Sequence, residues 1–233
     1  MSQDIAFTRP YELKKPEYFK VGREEMLPFI PPTAERILEV GCGEGVFGAL
    51  VKSLAEVEYW GVEPSNAAYE VAKTRLDQAM CQPFSSALQI PKHYFDCVVF
   101  NDVLEHLIDP EEAIKYAGML LVQGGAIVAS IPNIRHFPTA WKLIVNQDWK
   151  YQDEGILDRT HLRFFTRKSI IRMFEESGFD VQKIVGINAF AVNDVSENKL
   201  WRYFKVLNVV APSVVHDMKF LQFAVVAKNH PEK

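Results

Sequence analysis

Apolar residues in this chain gather into short unbroken runs, separated by longer stretches in which they recur every three or four positions. The runs near 36–40, 58–62, 79–82, 95–100, 125–131, 180–186 and 220–228 are rich in branched and aromatic residues and predict strands. Helical spacing between them predicts helices near 46–55, 65–76, 110–121 and 167–177. Local signals agree with these boundaries. Pro64 closes a strand ahead of Ser65 and Asn66, either of which can cap the second helix, and Thr166 can cap the helix that Gly178 ends. Strands and helices alternating in this order build a parallel sheet covered on both faces, which calls for strand runs that are mostly apolar.

Three stretches exceed such a minimal α/β unit. Residues 1–30 are expected to form an N-terminal lid segment, and 31–233 a single domain with insertions at about 132–166 and 188–219. The second insertion holds a potential helix from Lys199 to Val210. Insertions on a shared core are where substrate choice usually resides.

Composition narrows the class without naming it. The chain is 48% hydrophobic and 24% charged, as an ordinary globular domain is. A net charge of −4 supplies no basic field, so DNA is not an expected partner. The three cysteines, at 42, 81 and 97, are too few and too irregular for a disulfide framework or a zinc site. With no charged-then-apolar leader and no apolar stretch long enough for a membrane span, the expected location is cytoplasmic. Oligomeric state is left open by these features.

The densest signal lies at 36–48, where the run Arg-Ile-Leu-Glu-Val meets glycines at 41, 43, 45 and 48, with Glu39 just before the turn. Glycines there let a ligand approach the backbone, and the following helix aims free N–H groups at whatever sits over the turn. The next strand ends at Glu63, about 20 residues past the first glycine, where a carboxylate can accept two ribose hydroxyls at once. The spacing of Gly43, Gly45 and Gly48 also matches the dinucleotide fingerprint. Glu39, placed to meet a cationic amino group, and a turn that begins directly at Gly41 favour a different nucleoside ligand.

Glu39-Val-Gly41-Cys42-Gly43-Glu-Gly45 resembles the first motif of class I S-adenosylmethionine-dependent methyltransferases, and Gly61-Val62-Glu63-Pro64 falls where their second motif does. The segment from Asp96 to Asp109 resembles the strand and loop that close the cofactor site in that family, and Leu120 to Gly125 the turn before the fifth strand. The resemblance implies a Rossmann-like sheet of seven strands, the last antiparallel, flanked by helices. It also implies S-adenosylmethionine as cofactor, with the turn at Gly41, Cys42, Gly43 and Gly45 under the methionine part, Glu63 on the ribose, and Asn101 with Asp102 beside the methyl end. Many relatives carry an acid after the third strand for the adenine amino group; here that region reads Met80-Cys-Gln82-Pro-Phe-Ser-Ser86.

Aromatic faces can stabilise a sulfonium, and Tyr11, Tyr18 or Phe19 could fold over the cofactor, Tyr18 being the one selected. An oxygen nucleophile needs a proton acceptor, and among the six histidines His106, His136 and His161 lie where strand ends meet insertions. His161 is the leading base, with His106 second. The stretch 157–166 around His161 resembles one found in methyltransferases of polysaccharide and glycan biosynthesis. Arg159, Arg163 and His136 are accordingly the expected acceptor-binding residues, suited to a nucleotide sugar or glycan intermediate. Asp102, Glu105 and His106 also resemble an arrangement that holds a divalent ion in some quinone-type and RNA methyltransferases, so a metal route is kept beside the metal-free one.

The resulting expectation is an enzyme that methylates an oxygen of a small molecule, a sugar first. Alternative acceptors are a quinone-like phenol, an amine or RNA. A non-catalytic S-adenosylmethionine-binding module and a nicotinamide-dependent oxidoreductase are the rivals from other classes.

Overall fold

The computed structural model describes residues 19, 22–189 and 199–229. Seven strands form one sheet: β1 (Arg36–Val40), β2 (Glu58–Val62), β3 (Gln78–Met80), β4 (Phe95–Asn101), β5 (Leu121–Pro132), β6 (Phe179–Ala189) and β7 (Phe220–Asn229). Their order is β3-β2-β1-β4-β5-β7-β6, parallel from β3 to β5, with β7 antiparallel to both β5 and β6. Connections run outward one way from β1 to β3 and the other way from β4, so the crevice where a parallel sheet binds ligands opens at the C-terminal ends of β1 and β4.

Alternate residues of the central strands feed two cores, one on each face of the sheet. Leu38, Val98, Phe100 and Ile127 pack under α3 (Pro110–Leu120) and α5 (Arg167–Glu176), through Ile114, Leu120, Ile170 and Phe174. Ile37, Tyr59, Val99 and Val128 face the other way, against Phe47 and Val51 of α1 (Val46–Leu54). That second core also takes in Met26 and Phe29 from a 3₁₀ turn at Glu24–Phe29. The described end of the N-terminal segment is therefore partly core, while residues 1–18 lie outside the description.

Capping chemistry sets the helix starts. Ser65 accepts from the Ala68 N–H at the head of α2 (Asn66–Ala72), and Asp109 accepts from Glu112 ahead of Pro110. Thr166 and Ser169 form a reciprocal capping box. Three boundaries differ from expectation. The second helix stops at Ala72, because the chain turns through Thr74 to Leu76 to start β3. The expected turn at 120–125 is instead absorbed into a long β5. Leu121 pairs with Phe95 and Ala126 with Cys97, and the extra residues, including Gly124 at φ 80°, form an irregularity within the ladder. Finally, the insertions contribute three helices, α4 (Phe137–Ile144), α6 (Lys199–Val210) and the short α7 (Pro212–Val215), of which only α6 was expected.

Candidate active site

A cavity of about 640 Å³ opens at the C-terminal edge of the sheet, lined by the ends of β1, β2 and β4, by the 132–166 insertion and by residues of β6 and β7. Its floor is the glycine turn. Gly41 and Cys42 donate their N–H groups to the Val62 carbonyl at 2.8 and 3.2 Å, and Gly45 donates to Cys42 before opening α1. Gly43 has φ 53°, and a Cβ there would lie 2.8 Å from the Phe19 carbonyl oxygen, so only glycine fits this crossing. Its N–H donates to Glu63 Oε2 at 3.0 Å while Ser65 N–H donates to Oε1 at 2.8 Å, which anchors the buried Glu63 carboxylate beside the turn. Each oxygen keeps a second lone pair for a ligand hydroxyl. Burial raises the Glu63 carboxyl above its usual range, against the pull of those two N–H groups.

Glu39 is buried beneath the turn, accepting from Asn101 Nδ2 and the Tyr59 hydroxyl, each at 3.2 Å. Loss of water pushes its carboxyl up to about 8, with neighbouring Glu63 adding to the rise. Asn101 Oδ1 is buried and without a hydrogen-bond partner among the described residues. A carboxyl lacking solvent beside an unmet acceptor suits a cationic amino group.

Past β4 the backbone turns sharply at Asp102, φ 53°. Ser130 holds it there, accepting the Asp102 N–H and donating its hydroxyl to Oδ1. Arg23 pairs with the same carboxylate, Gln222 donates to it, and Asn188 donates to Gln222 at 2.8 Å. Arg23, Asp102 and Asn188 are all non-glycine residues with left-handed backbone, and their convergence in one network fixes three distant segments to the cavity wall.

The remaining polar corner is built by Glu105, His106 and His161. Leu162 and Arg163 donate their N–H groups to the Glu105 carbonyl, drawing the 132–166 insertion onto the β4 loop. His161 Nδ1 lies 2.9 Å from the Ile156 carbonyl, and His106 Nδ1 lies 3.1 Å from that of Thr160. A carbonyl only accepts, so in its neutral form each ring carries the proton on Nδ1 and the basic lone pair on Nε2. The rings meet edge to face at 4.7 Å, and His161 Nε2 stands 3.9 Å from Glu105 Oε1. Both Glu105 carboxylate oxygens are buried with no hydrogen-bond partner among the described residues, and burial pushes this carboxyl up to about 8. One donor atom from each of these three side chains falls within 4.8 Å of the others.

Of the residues singled out in the sequence, Glu39, Gly41, Cys42, Gly43, Glu63, Pro64, Asn101, Asp102, His106 and His161 all line the cavity. Gly45 shapes the turn from behind. Tyr18 lies outside the described residues, but neighbouring Phe19 reaches the cavity. Three expected acceptor-binding residues lie away from this cavity. Arg159 points outward to Asp153 at 2.8 Å, Arg163 donates to the Ile108 carbonyl at 2.6 Å, and His136 stands at the start of α4; none of them lines the cavity. Burial and nearby Lys142 hold the His136 imidazole down to about 4. The expected trio of Asp102, Glu105 and His106 is also not the one that gathers: Asp102 is taken up by Arg23 and Gln222, and His161 completes the group. Beyond Met80 it is Pro83 to Ser86, not Gln82, that reach the cavity. Arg23, Asn188 and Gln222 were missed, because no local pattern marks a lone polar residue that folding carries to a distant loop.

The family model of the methyltransferase domain matches residues 11–184. The chain belongs to the class I S-adenosylmethionine-dependent methyltransferases. Among curated proteins, this methyltransferase is 30% identical over 182 residues to the ubiquinone biosynthesis O-methyltransferase of Coxiella burnetii, covering 71% of the chain and 75% of that protein. It is 28% identical to the enzyme of the same name from Nitrosospira multiformis, over 65% of each. A SAM-dependent methyltransferase from Archaeoglobus fulgidus shares the fold at TM-score 0.64 and 20% identity, over 98% of this chain and 100% of that one. The cavity fits the family's cofactor on its own evidence, through the unmet Asn101 Oδ1, the buried Glu39 and the anchored Glu63.

Proposed function

We propose that this methyltransferase acts on a phenolic oxygen of a small quinone-type acceptor rather than on a sugar hydroxyl. The observation that carries this reading is the makeup of the cavity wall. Phe84, Val103, Leu107, Ile108, Tyr116 and Leu221 give it an apolar and aromatic lining, with Phe84 and Tyr116 in ring contact at 5.0 Å. The Tyr116 hydroxyl is already engaged by the Leu88 carbonyl, so it does not offer its proton to a sugar oxygen. The two arginines once assigned to a phosphorylated sugar face elsewhere. The names of the curated relatives support the same acceptor class.

In this reading Glu63 holds the ribose hydroxyls, and Glu39 with Asn101 Oδ1 takes the amino group of the methionine part. Bound S-adenosylmethionine supplies a methyl group on a sulfonium as the electrophile. The chain's task is then to hold an oxygen in line and remove its proton. Alignment alone can contribute effective molarities of roughly 10⁵ M or more. His161 Nε2 accepts the proton, its ring fixed by the Nδ1 contact to Ile156. A phenol, with a pKa of about 10, suits a neutral imidazole better than an alcohol does.

A second reading is favoured by the Glu105 carboxyl, whose oxygens have no hydrogen-bond partner among the described residues and which gathers with His106 and His161. Glu105, His106 and His161 fit a divalent ion, whose chemistry would be to acidify the bound hydroxyl. The test of acceptor class is to incubate the purified chain with labelled S-adenosylmethionine and matched panels of catechols and nucleotide sugars. Label on a catechol ring oxygen supports the proposal, and label confined to the sugars defeats it.

A further inference from the structure

Helix α4 of the first insertion and helices α6 and α7 of the second fold together into a cap, and none of the three lines the cavity. Phe137 of α4, Phe204 of α6 and Val215 form its small core, and Trp141 stacks on Tyr203 at 4.8 Å. A helix turning about 100° per residue sets Arg202, Val206, Val209 and Val210 on the side away from buried Phe204. Val206, Val209 and Val210 are accordingly 62%, 82% and 76% exposed, and Ile144 at the end of α4 is 73% exposed between exposed Leu143 and Val145. The three valines lie together on one face of α6, and apolar surface gathered in this way marks an interaction site rather than ordinary scatter.

Charge identifies the occupant. Neither 134–147 nor 199–215 contains an acidic residue, while Arg135, Lys142, Lys199, Arg202 and Lys205 are cations, in a chain whose net charge is −4. Asp148, whose N–H donates to the Lys142 carbonyl, stands at the end of α4, so it is the face of α6 that combines exposed aliphatic side chains with cations and no acid of its own, the chemistry of an interfacial helix on an anionic bilayer. A second copy meeting this face about a two-fold axis would set cations against cations.

We propose that the α4–α6 cap is a docking surface for an anionic lipid bilayer. Val206, Val209 and Val210 enter the acyl boundary, and Arg202 on the same face of α6 meets lipid phosphates. The cap is rooted in the cavity wall: Asn133 donates to the carbonyls of Asp217 and Phe220, and the adjoining Pro132 and Leu221 line the cavity.

The test is co-sedimentation of the full chain with vesicles of phosphatidylcholine alone or mixed with phosphatidylglycerol. The chain is expected to pellet with the mixed vesicles, and less so as salt rises. Val206→Ser/Val209→Ser/Val210→Ser should lower partitioning about tenfold or more, because the apolar contribution is lost. Arg202→Glu should lower it about fivefold or more. Since these side chains are exposed, affinity for S-adenosylhomocysteine should be unchanged in both variants and reports that they are folded. No uptake by anionic vesicles, or equal uptake by the triple variant, overturns the proposal. So does a dimer that the triple variant dissolves without any vesicle binding, which would name a second copy as the occupant.

Discussion

Replacing Glu39 with Gln tests the electrostatics of the cofactor floor directly. Burial holds the Glu39 carboxyl protonated up to about pH 8, against 4.5 for a solvated glutamate. Between those values the unfolded chain has released a proton that the folded chain retains, so folding stability falls as pH rises. A raised carboxyl of this kind contributes fully below pH 4.5 and its contribution is lost as pH climbs through 8. At about 1.4 kcal/mol per pH unit, the full window amounts to a ceiling of about 5 kcal/mol. Gln keeps the neutral shape and cannot ionise. Urea midpoints of both proteins from about pH 5 to about pH 8 should therefore converge at the acidic end, and the variant should become the more stable by a few kcal/mol at the alkaline end. A stability difference that does not change with pH refutes the reasoning. Calorimetry with S-adenosylhomocysteine gives an independent reading, since an ammonium beside Glu39 stabilises its ionised form. The wild type should release a proton on binding near neutral pH, whereas Glu39→Gln should release none and bind about 10- to 100-fold more weakly, as expected for loss of a charged hydrogen bond.

The other positions make simpler predictions. Glu63→Ala leaves the Gly43 and Ser65 N–H groups without their acceptor, and S-adenosylhomocysteine affinity should fall at least about tenfold with circular dichroism unchanged. His161→Ala should lower kcat by roughly 10² to 10⁴ while cofactor affinity holds, and wild-type turnover at full rate after exhaustive chelation would end the divalent-ion reading. Gly43→Ala forces a side chain toward the Phe19 carbonyl at a positive φ, so thermal unfolding should drop by an amount equivalent to about 1–2 kcal/mol and cofactor affinity should fall with it. An unchanged melting temperature would mean that Phe19 does not cross the turn as described.

Signals carried within a few residues were legible before any tertiary contact was known. The runs that became β1, β2, β4 and β7, the glycine turn and the Ser65 and Thr166 caps all follow from backbone sterics and local hydrogen bonding, which a short window of sequence specifies. Charged side chains on the 132–166 insertion were not legible in the same way. Arg159 and Arg163 look like ligand grips in sequence, yet a long cation takes the nearest acceptor that folding offers, here Asp153 and the Ile108 carbonyl.

The chain's own pattern thus determined the parallel core, where its crevice opens, and which acid would stand over the first turn. Only the folded structure decided that Arg23, Asn188 and Gln222 lock together around Asp102, and that His161 rather than Asp102 joins Glu105 and His106. It alone decided, too, that two carboxyls hold their protons up to about pH 8. These outcomes depend on which side chains meet across long stretches of chain and on how much water is excluded when they do. Neither quantity exists until the chain has folded.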